Sequence, residues 1–427
     1  MQSLERRSVR ALSLIKLIFT LLGILSILLC SVATGIQEQS QPDWIKTYGT
    51  YGGNSLIQTV DGGFAVAGVN ASYSFEMYRG YGQYQPLLIK TNLNGETEWA
   101  KTYNLSGSAS TVVQTQDNGF LLCGGAWVLK TDVNGTPEWN TTLQSGVRYR
   151  AIQASNKDYL VAGYYWIPSD YVPILYKLDF DGNQIWNKTF TSSVSTTSAS
   201  WIQDILEAND GNYIIVGTWN GDFWFAKTDT NGNLLVNKTY HYNDPAQNGP
   251  ETFNSISKTF DDCYILTAGD GPNSWLFKIN SNGSEEWHQF YGDSNYTGLL
   301  SAVETVDGGF VATGGQHLQA IVLKTDKLGK EEWSTTYGQE ETIDIGNSVI
   351  ATNNGFVVTG KLNSSEVWLA KFTLQVIVSP SATLFPSITE NANGNITTAL
   401  IIVIIILVVG CLIGIASVKL KKRKKSL

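Results

Sequence analysis

The chain has 427 residues, of which 15% are charged, and a formal net charge of −8. Ten of its 29 basic residues, but only one of its 37 acidic ones, lie before residue 34 or after residue 418. The long middle is therefore strongly acidic and repels a phosphate backbone, which argues against a nucleic-acid partner.

The N-terminus carries Arg6, Arg7, Arg10 and Lys16, then an apolar run over 17–29, then Ser31-Val32-Ala33 as a small-residue cleavage site. Residues 1–33 read as a secretory signal peptide, with an uncleaved N-terminal anchor as the alternative. Cys30 makes a poor lipoprotein signal, because Leu29 stands where a small residue is wanted.

From residue 42 a two-part phrase recurs seven times. Its first half, Ser55-Leu-Ile-Gln-Thr-Val-Asp-Gly-Gly-Phe-Ala-Val-Ala-Gly68, is tracked by an aromatic at Phe64, Phe120, Tyr159, Tyr213, Tyr264, Phe310 and Phe356. These lie roughly 40–55 residues apart, the period of a repeat array. The second half, Leu87-Leu-Ile-Lys-Thr-Asn-Leu-Asn-Gly-Glu-Thr-Glu-Trp-Ala-Lys-Thr-Tyr103, is tracked by Trp44, Trp99, Trp139, Trp186, Trp287 and Trp333, with Val236 in the Trp place once. Each half reads as a hairpin, broken by Asp61-Gly62-Gly63 in the first and by Asn92-Leu-Asn-Gly95 in the second. Four short strands per repeat make a β-propeller blade, whose strands we letter A to D from the channel outward.

The phase predicts how the ring closes. Trp44-Ile-Lys-Thr-Tyr48 is a D strand with no A, B or C before it, and the last unit has A, B and C (367–372) but no D. The first strand should complete the last blade and remove two open sheet edges. The predicted class is thus all-β, a seven-bladed propeller over 42–375. Blade 2 is the shortest, and the strand D Trp residues are expected to fill the wedges between blades. Asp132-Val-Asn-Gly135 and Asp179-Phe-Asp-Gly182 lack the ligands of an EF-hand and read as turns.

Beyond the ring, 376–397 is rich in Ser, Thr, Pro and Asn and reads as an extended stalk. Residues 398–418 form an apolar segment followed by the basic tail 419–427. That pattern predicts a single transmembrane helix with its tail in the cytoplasm and the propeller outside. The expected site is the cell membrane, with the membrane itself a partner. Ten Asn-X-Ser/Thr sequons lie in the exported part, and Asn70, Asn104, Asn295, Asn363 and Asn395 are the candidates for glycosylation of a glycoprotein. Asn187 and Asn237 sit in the Asn-Lys-Thr of the strand D phrase.

Strand direction puts the A–B and C–D turns on one face of the ring and the B–C and D–A loops on the other. Both ends of the ring should leave from the first face, so the second should point away from the membrane. That second face carries the segments read as long loops, one of them 241–251, which joins blade 4 to blade 5, and two of them rich in aromatic residues. One is 69–86 in blade 1, with Tyr73, Phe75, Tyr78, Arg79, Tyr81 and Tyr84; the other is 164–173 in blade 3, with Tyr164, Tyr165, Trp166 and Tyr171. Aromatic loops on a rigid scaffold are where recognition sits, so Tyr73, Tyr78, Arg79, Tyr81, Tyr84, Tyr165, Trp166 and Tyr171 are the candidate ligand-binding residues. The competing reading is that these rings pack on one another to order their own segments.

No catalytic set stands out. His241, His288 and His317 fall in separate blades without metal-ligand spacing, and no nucleophile motif is present. Glu340 and Glu341 form an acidic doublet on a D–A loop, which a solvated loop explains. Cys123 and Cys263 lie in different blades, so no disulfide framework is visible, and neither metal nor cofactor is expected.

The phrase Trp127-Val-Leu-Lys-Thr-Asp-Val-Asn-Gly-Thr-Pro-Glu-Trp139 resembles the repeats of quinoprotein-like and WD40-like propellers. Asp61-Gly-Gly-Phe-Ala-Val-Ala-Gly68 together with Lys90-Thr-Asn-Leu-Asn-Gly-Glu-Thr-Glu-Trp99 more closely resembles the repeat propellers of archaeal and bacterial cell-surface proteins, over residues 43–373. That resemblance implies a propeller fold and a surface location for a functionally diverse group. Quinone-dependent dehydrogenases carry an adjacent Cys pair that this chain lacks. Sialidases need three converging Arg, whereas the exported part has only Arg79, Arg148 and Arg150. The expected function is a binding or structural surface module for a polysaccharide or protein. A glycan-active hydrolase or lyase with carboxylates at the channel mouth is the alternative, and an assembly scaffold is a third reading.

Overall fold

A computed structural model describes residues 41–49, 52–72, 83–144, 146–167, 170–191, 200–242, 250–269, 273–291, 296–339, 341–363 and 366–374. The chain divides after Val376, and the predicted stalk, apolar segment and tail beyond it lie outside the described residues, as does the N-terminal apolar run. No helix of the described residues is long and apolar enough to cross a membrane.

Among the described residues, twenty-eight strands form seven four-stranded antiparallel sheets. Six take their strands consecutively. The seventh is built from Ile345–Thr352, Gly355–Leu362 and Glu366–Thr373, with Trp44–Tyr48 as its outer strand. The closing register runs from Trp44 opposite Lys371 to Tyr48 opposite Val367. Thr373 Oγ1 donates to Asp43 Oδ2 at 2.7 Å, so both ends of the ring meet on the face of the A–B and C–D turns, here the lower face.

The turns form for local reasons. Asp61 Oδ1 accepts the Gly63 N–H at 3.0 Å, and Gly62 takes a positive φ of 85°. In the C–D turns, Asp132 Oδ1 accepts the N–H groups of Asn134 and Thr136 at 2.9 and 2.7 Å. This is side-chain mimicry of a backbone turn. Strands B and C are buried on both faces, as in Phe120–Cys123 and Trp127–Thr131. Strand D alternates between exposed and half-buried, as in Thr97–Thr102.

Packing is organised by seams. Seven apolar clusters each join two neighbouring blades, including one that joins blade 7 to blade 1 through Val357, Val367, Leu369, Leu56 and Phe64. Each strand D Trp reaches into the next blade. Trp99 meets Phe120 edge-on at 5.8 Å, and Trp44 meets Phe64 at 6.2 Å. The glycine of the next C–D turn makes room for the ring. A Cβ on Gly135 would lie 2.8 Å from Trp99, and one on Gly95 would lie 2.8 Å from Trp44. Where Val236 replaces the Trp, Phe225 of strand C occupies the corresponding place beside Gly283.

The lower face also carries a repeated ion cluster. Lys90, Lys130, Lys278 and Lys324 from strand C are largely buried and reach one Asp of the A–B turn and one Glu of strand D. For Lys130 these are Asp117 at 2.8 Å and Glu138 at 2.7 Å. Its ammonium also donates to the Thr131 carbonyl at 2.9 Å. In blades 3 and 4, Ile185 and Leu235 stand where the Glu would be, and Lys177 and Lys227 keep only the Asp partner. Burial raises the carboxyls of Asp61, Asp117, Asp210, Asp261 and Asp307, but the lysine and the turn donors outweigh it. Asp61, held by Lys90, Thr59 and the Gly63 N–H, falls to about 2.

Candidate functional site

The upper face departs from this regularity. Blade 2 has inner strands of four residues, Thr111–Gln114 and Phe120–Cys123, and crosses to strand C through the short segment 124–126. On either side the B and C strands are nine residues long: Phe64–Ser72 with Gln83–Thr91, and Tyr159–Ile167 with Asp170–Leu178. The rim is therefore low over blade 2 and high over blades 1 and 3. The flanks of the segments read as loops are extended hairpin strands, 69–72 with 83–86 in blade 1 and 164–167 with 170–173 in blade 3. Val69 pairs with Pro86 and Ala71 with Tyr84; Tyr164 pairs with Pro173 and Trp166 with Tyr171. Aromatic and β-branched residues continue the ladder where a break was expected.

Behind the notch the channel mouth opens as a cavity of about 750 Å³, within the range of small-molecule sites. Its wall comes from a recurrent irregularity in strand A. The register of A against B shifts at Gly53/Ser55, Ile202/Asp204, Phe253/Ser255, Leu299/Ser301 and Gly346/Ser348. Such a bulge re-aims one extra residue, here Asn54, Gln203, Asn254, Leu300 and Asn347, all of which line the mouth. The asparagines also clamp blade to blade. Asn54 Nδ2 donates to the Ala109 carbonyl at 2.9 Å, Asn254 Nδ2 to Leu299 at 2.9 Å, and Asn347 Nδ2 to Gly53 at 2.8 Å across the closure. Blades 2 and 3 add Ser106, Ser110, Trp127, Arg150 and Tyr164.

Arg150 is the one charged side chain among the lining residues. It donates to the Ser110 carbonyl. Asp204 sits one residue past Gln203 and accepts the Ile256 N–H at 3.0 Å in the seam to blade 5. Burial raises its carboxyl above the usual range, opposed by the charge of Arg150 and by the Ile256 and Ile205 N–H groups. Cys123 is fully buried near Arg150 and donates to the Tyr149 carbonyl at 3.2 Å. Burial pushes its thiol up to about 11, so it stays protonated and unreactive. None of the lining residues is an Asp or Glu. The surface is one of amides, hydroxyls, a guanidinium and an aromatic ring, suited to holding a polyhydroxylated or amide-bearing ligand by many neutral hydrogen bonds.

The expected aromatic residues are split rather than gathered. Trp166 is 62% exposed and lies across the ladder from Tyr171. Tyr164 and Tyr171 contact each other and both pack on Trp201 of blade 4. Tyr165 packs instead into the blade 2–3 cluster. Tyr84 is exposed on the blade 1 hairpin, whose backbone takes the Gly107 N–H at 3.1 Å. Tyr73, Tyr78, Arg79 and Tyr81 lie outside the described residues. Of the sequon asparagines, Asn104 and Asn363 are exposed and Asn70 is half-buried, while Asn295 and Asn395 lie outside the described residues.

Sequence reading missed the bulge residues, although a Gly-Asn pair opens strand A at both Gly53-Asn54 and Gly346-Asn347. It also missed that Asp222, His241 and Glu251 come together on the same face. They lie on the B–C turn of blade 4 and the connection to blade 5, at separations no spacing rule catches.

No protein-family model and no curated protein matches this chain. Among solved structures, a streptogramin B lyase aligns with a TM-score of 0.51 at 11% identity, over 77% of this chain and 98% of that one. The Dos1 propeller aligns at 0.49 and 8% identity, over 78% and 95%. A protein of unknown function from Bacteroides caccae aligns at 0.41 and 13%, over 64% and 93%. The streptogramin B lyase alignment, at such identity, supports the fold alone, a β-propeller, and leaves the activity to the site.

Proposed function

We propose that this chain is a membrane-anchored extracellular propeller whose upper face binds a polysaccharide or the sugar-bearing part of a surface partner. The observation that carries the reading is the channel mouth, a polar cavity of about 750 Å³ that opens through the low rim of blade 2 between two tall hairpins. The acidic, lightly charged ring and the apolar C-terminal segment with its basic tail support an exported, anchored protein. The lower face, where both ends of the ring meet, faces the membrane in this reading. The resemblance of the repeats to those of surface propellers points the same way.

The test is a glycan array probed with the full-length chain in detergent. Gln203→Ala and Tyr164→Ala should each weaken binding at least about tenfold, the scale of one lost buried hydrogen bond or ring contact. Trp166→Ala separates the mouth from the rim: a loss confined to Trp166 moves the ligand onto the exposed hairpin. Absence of glycan binding by the wild-type chain overturns the reading.

A further inference from the structure

We infer that Asp222, His241 and Glu251 form a divalent transition-metal site, of the zinc type, on the upper face between blades 4 and 5. His241 Nδ1 lies 3.0 Å from Asp222 Oδ1 and 3.6 Å from Glu251 Oε2, and the three ligand atoms all fall within 4.8 Å of one another. Ligands about 2.0–2.1 Å from a tetrahedral zinc stand roughly 3.3 Å apart, so two of the three edges already match one face of such a site. Nδ1 can carry one proton, yet it faces two carboxylate oxygens. A cation held among the three engages both carboxylates and uses the imidazole as a neutral nitrogen donor.

The site is pre-set by contacts that have nothing to do with a ligand. The Glu251 side chain is fully buried, and its backbone is clipped to the B–C turn of blade 4: its N–H donates to the Gly221 carbonyl at 2.8 Å, and its carbonyl accepts Thr218 Oγ1 at 2.8 Å. Glu251 Oε1 accepts the Tyr242 N–H at 3.0 Å, which leaves Oε2 directed at the imidazole. The Tyr242 ring is held 5.5 Å from Phe277 in the blade 4–5 cluster, and this fixes its neighbour His241. Asp222 opens strand C of blade 4 (Asp222–Thr228). His241 and Asp222 remain 48% and 35% exposed, so an ion has access and a fourth position stays open to water or to a ligand group.

A second cluster shows what a structural counterpart looks like. Asp261, Cys263 and Glu286 also converge, but the Lys278 ammonium already bridges the two carboxylates and neutralises them. The Asp222 cluster has an imidazole where that cluster has an ammonium, and an imidazole is a ligand.

The experiment uses the full-length chain in detergent, without a histidine tag and freed of metal by a chelator. It is titrated with Co²⁺ while the visible absorption of four-coordinate cobalt is followed, and then with Zn²⁺ by calorimetry. The wild type should take up one equivalent, show the cobalt band and lose it to zinc. His241→Ala and Asp222→Asn should each lower affinity at least about tenfold, the effect seen even for outer-shell changes at metal sites. Asp222 is partly exposed, so its variant tests the site even if Glu251→Gln fails to fold. No stoichiometric uptake by the wild type, or uptake unchanged in His241→Ala and Asp222→Asn, overturns the assignment.

Discussion

The two faces of this ring obey different rules. On the lower face one design recurs: Lys130 between Asp117 and Glu138 is matched by Lys90, Lys278 and Lys324 in their own blades. On the upper face nothing repeats in full. Strand B shrinks to four residues in blade 2 and reaches nine in blades 1 and 3, and the bulge residue changes from Asn to Gln to Leu. A feature that recurs from blade to blade stabilises the array. A feature present once is free to serve a ligand.

The largest effect is expected at the closure. A chain beginning at residue 50 lacks the outer strand of blade 7 and exposes Glu366–Thr373 as an open edge. It should lose its single cooperative transition and aggregate on heating, as read by calorimetry and light scattering. One smooth transition at an unchanged temperature would show that the seams alone hold the ring.

Gly135→Val comes next. It forces a branched side chain into a φ of 72° and against Trp99. We expect a loss of about 2–4 kcal/mol in urea unfolding, the sum of backbone strain and overpacking.

Lys130→Met should cost about 1–2 kcal/mol, kept small because solvent screens the half-exposed carboxylates it leaves. It should also alter the acid response. The Asp117 carboxyl is raised by burial but lowered more by Lys130, Thr115 and the Gly119 N–H, so its folded value lies below the unfolded one. Such a group contributes stability that is complete above about pH 4 and is lost as the pH falls through the folded value. For Asp61 that value is about 2. Stability should therefore decline between about pH 4 and pH 2, and Lys130→Met should flatten the share due to Asp117.

Trp166→Ala should have the smallest effect, within about 0.5 kcal/mol, because the ring is largely in solvent. A large loss would move Trp166 from the proposed binding face into the structural set.

Several of these residues were legible in the chain and several were not, and the dividing line is periodicity. The aromatics of strand B, the Trp of strand D and the turn glycines each recur once per repeat, so blade count, phase and closure followed from counting. The Lys of strand C recurs as well, but its partners come from the A–B turn and from strand D, and only the folded blade shows that all three converge. The hairpins of blades 1 and 3 were taken for loops because strand pairing there depends on a partner rather than on local turn residues.

By itself, then, the sequence determined a seven-membered ring sealed by Trp44–Tyr48, because a repeated pattern of apolar residues and turns has one economical way to bury itself. Only the tertiary structure decided where the ring opens and what meets there. Asn54 and Asn347 stand at opposite ends of the chain, and Asp222, His241 and Glu251 belong to no shared motif. Closing the circle brings Asn347 within hydrogen-bonding distance of Gly53, and the packing of blade 4 against blade 5 brings the three ligand groups to near-ligand distance.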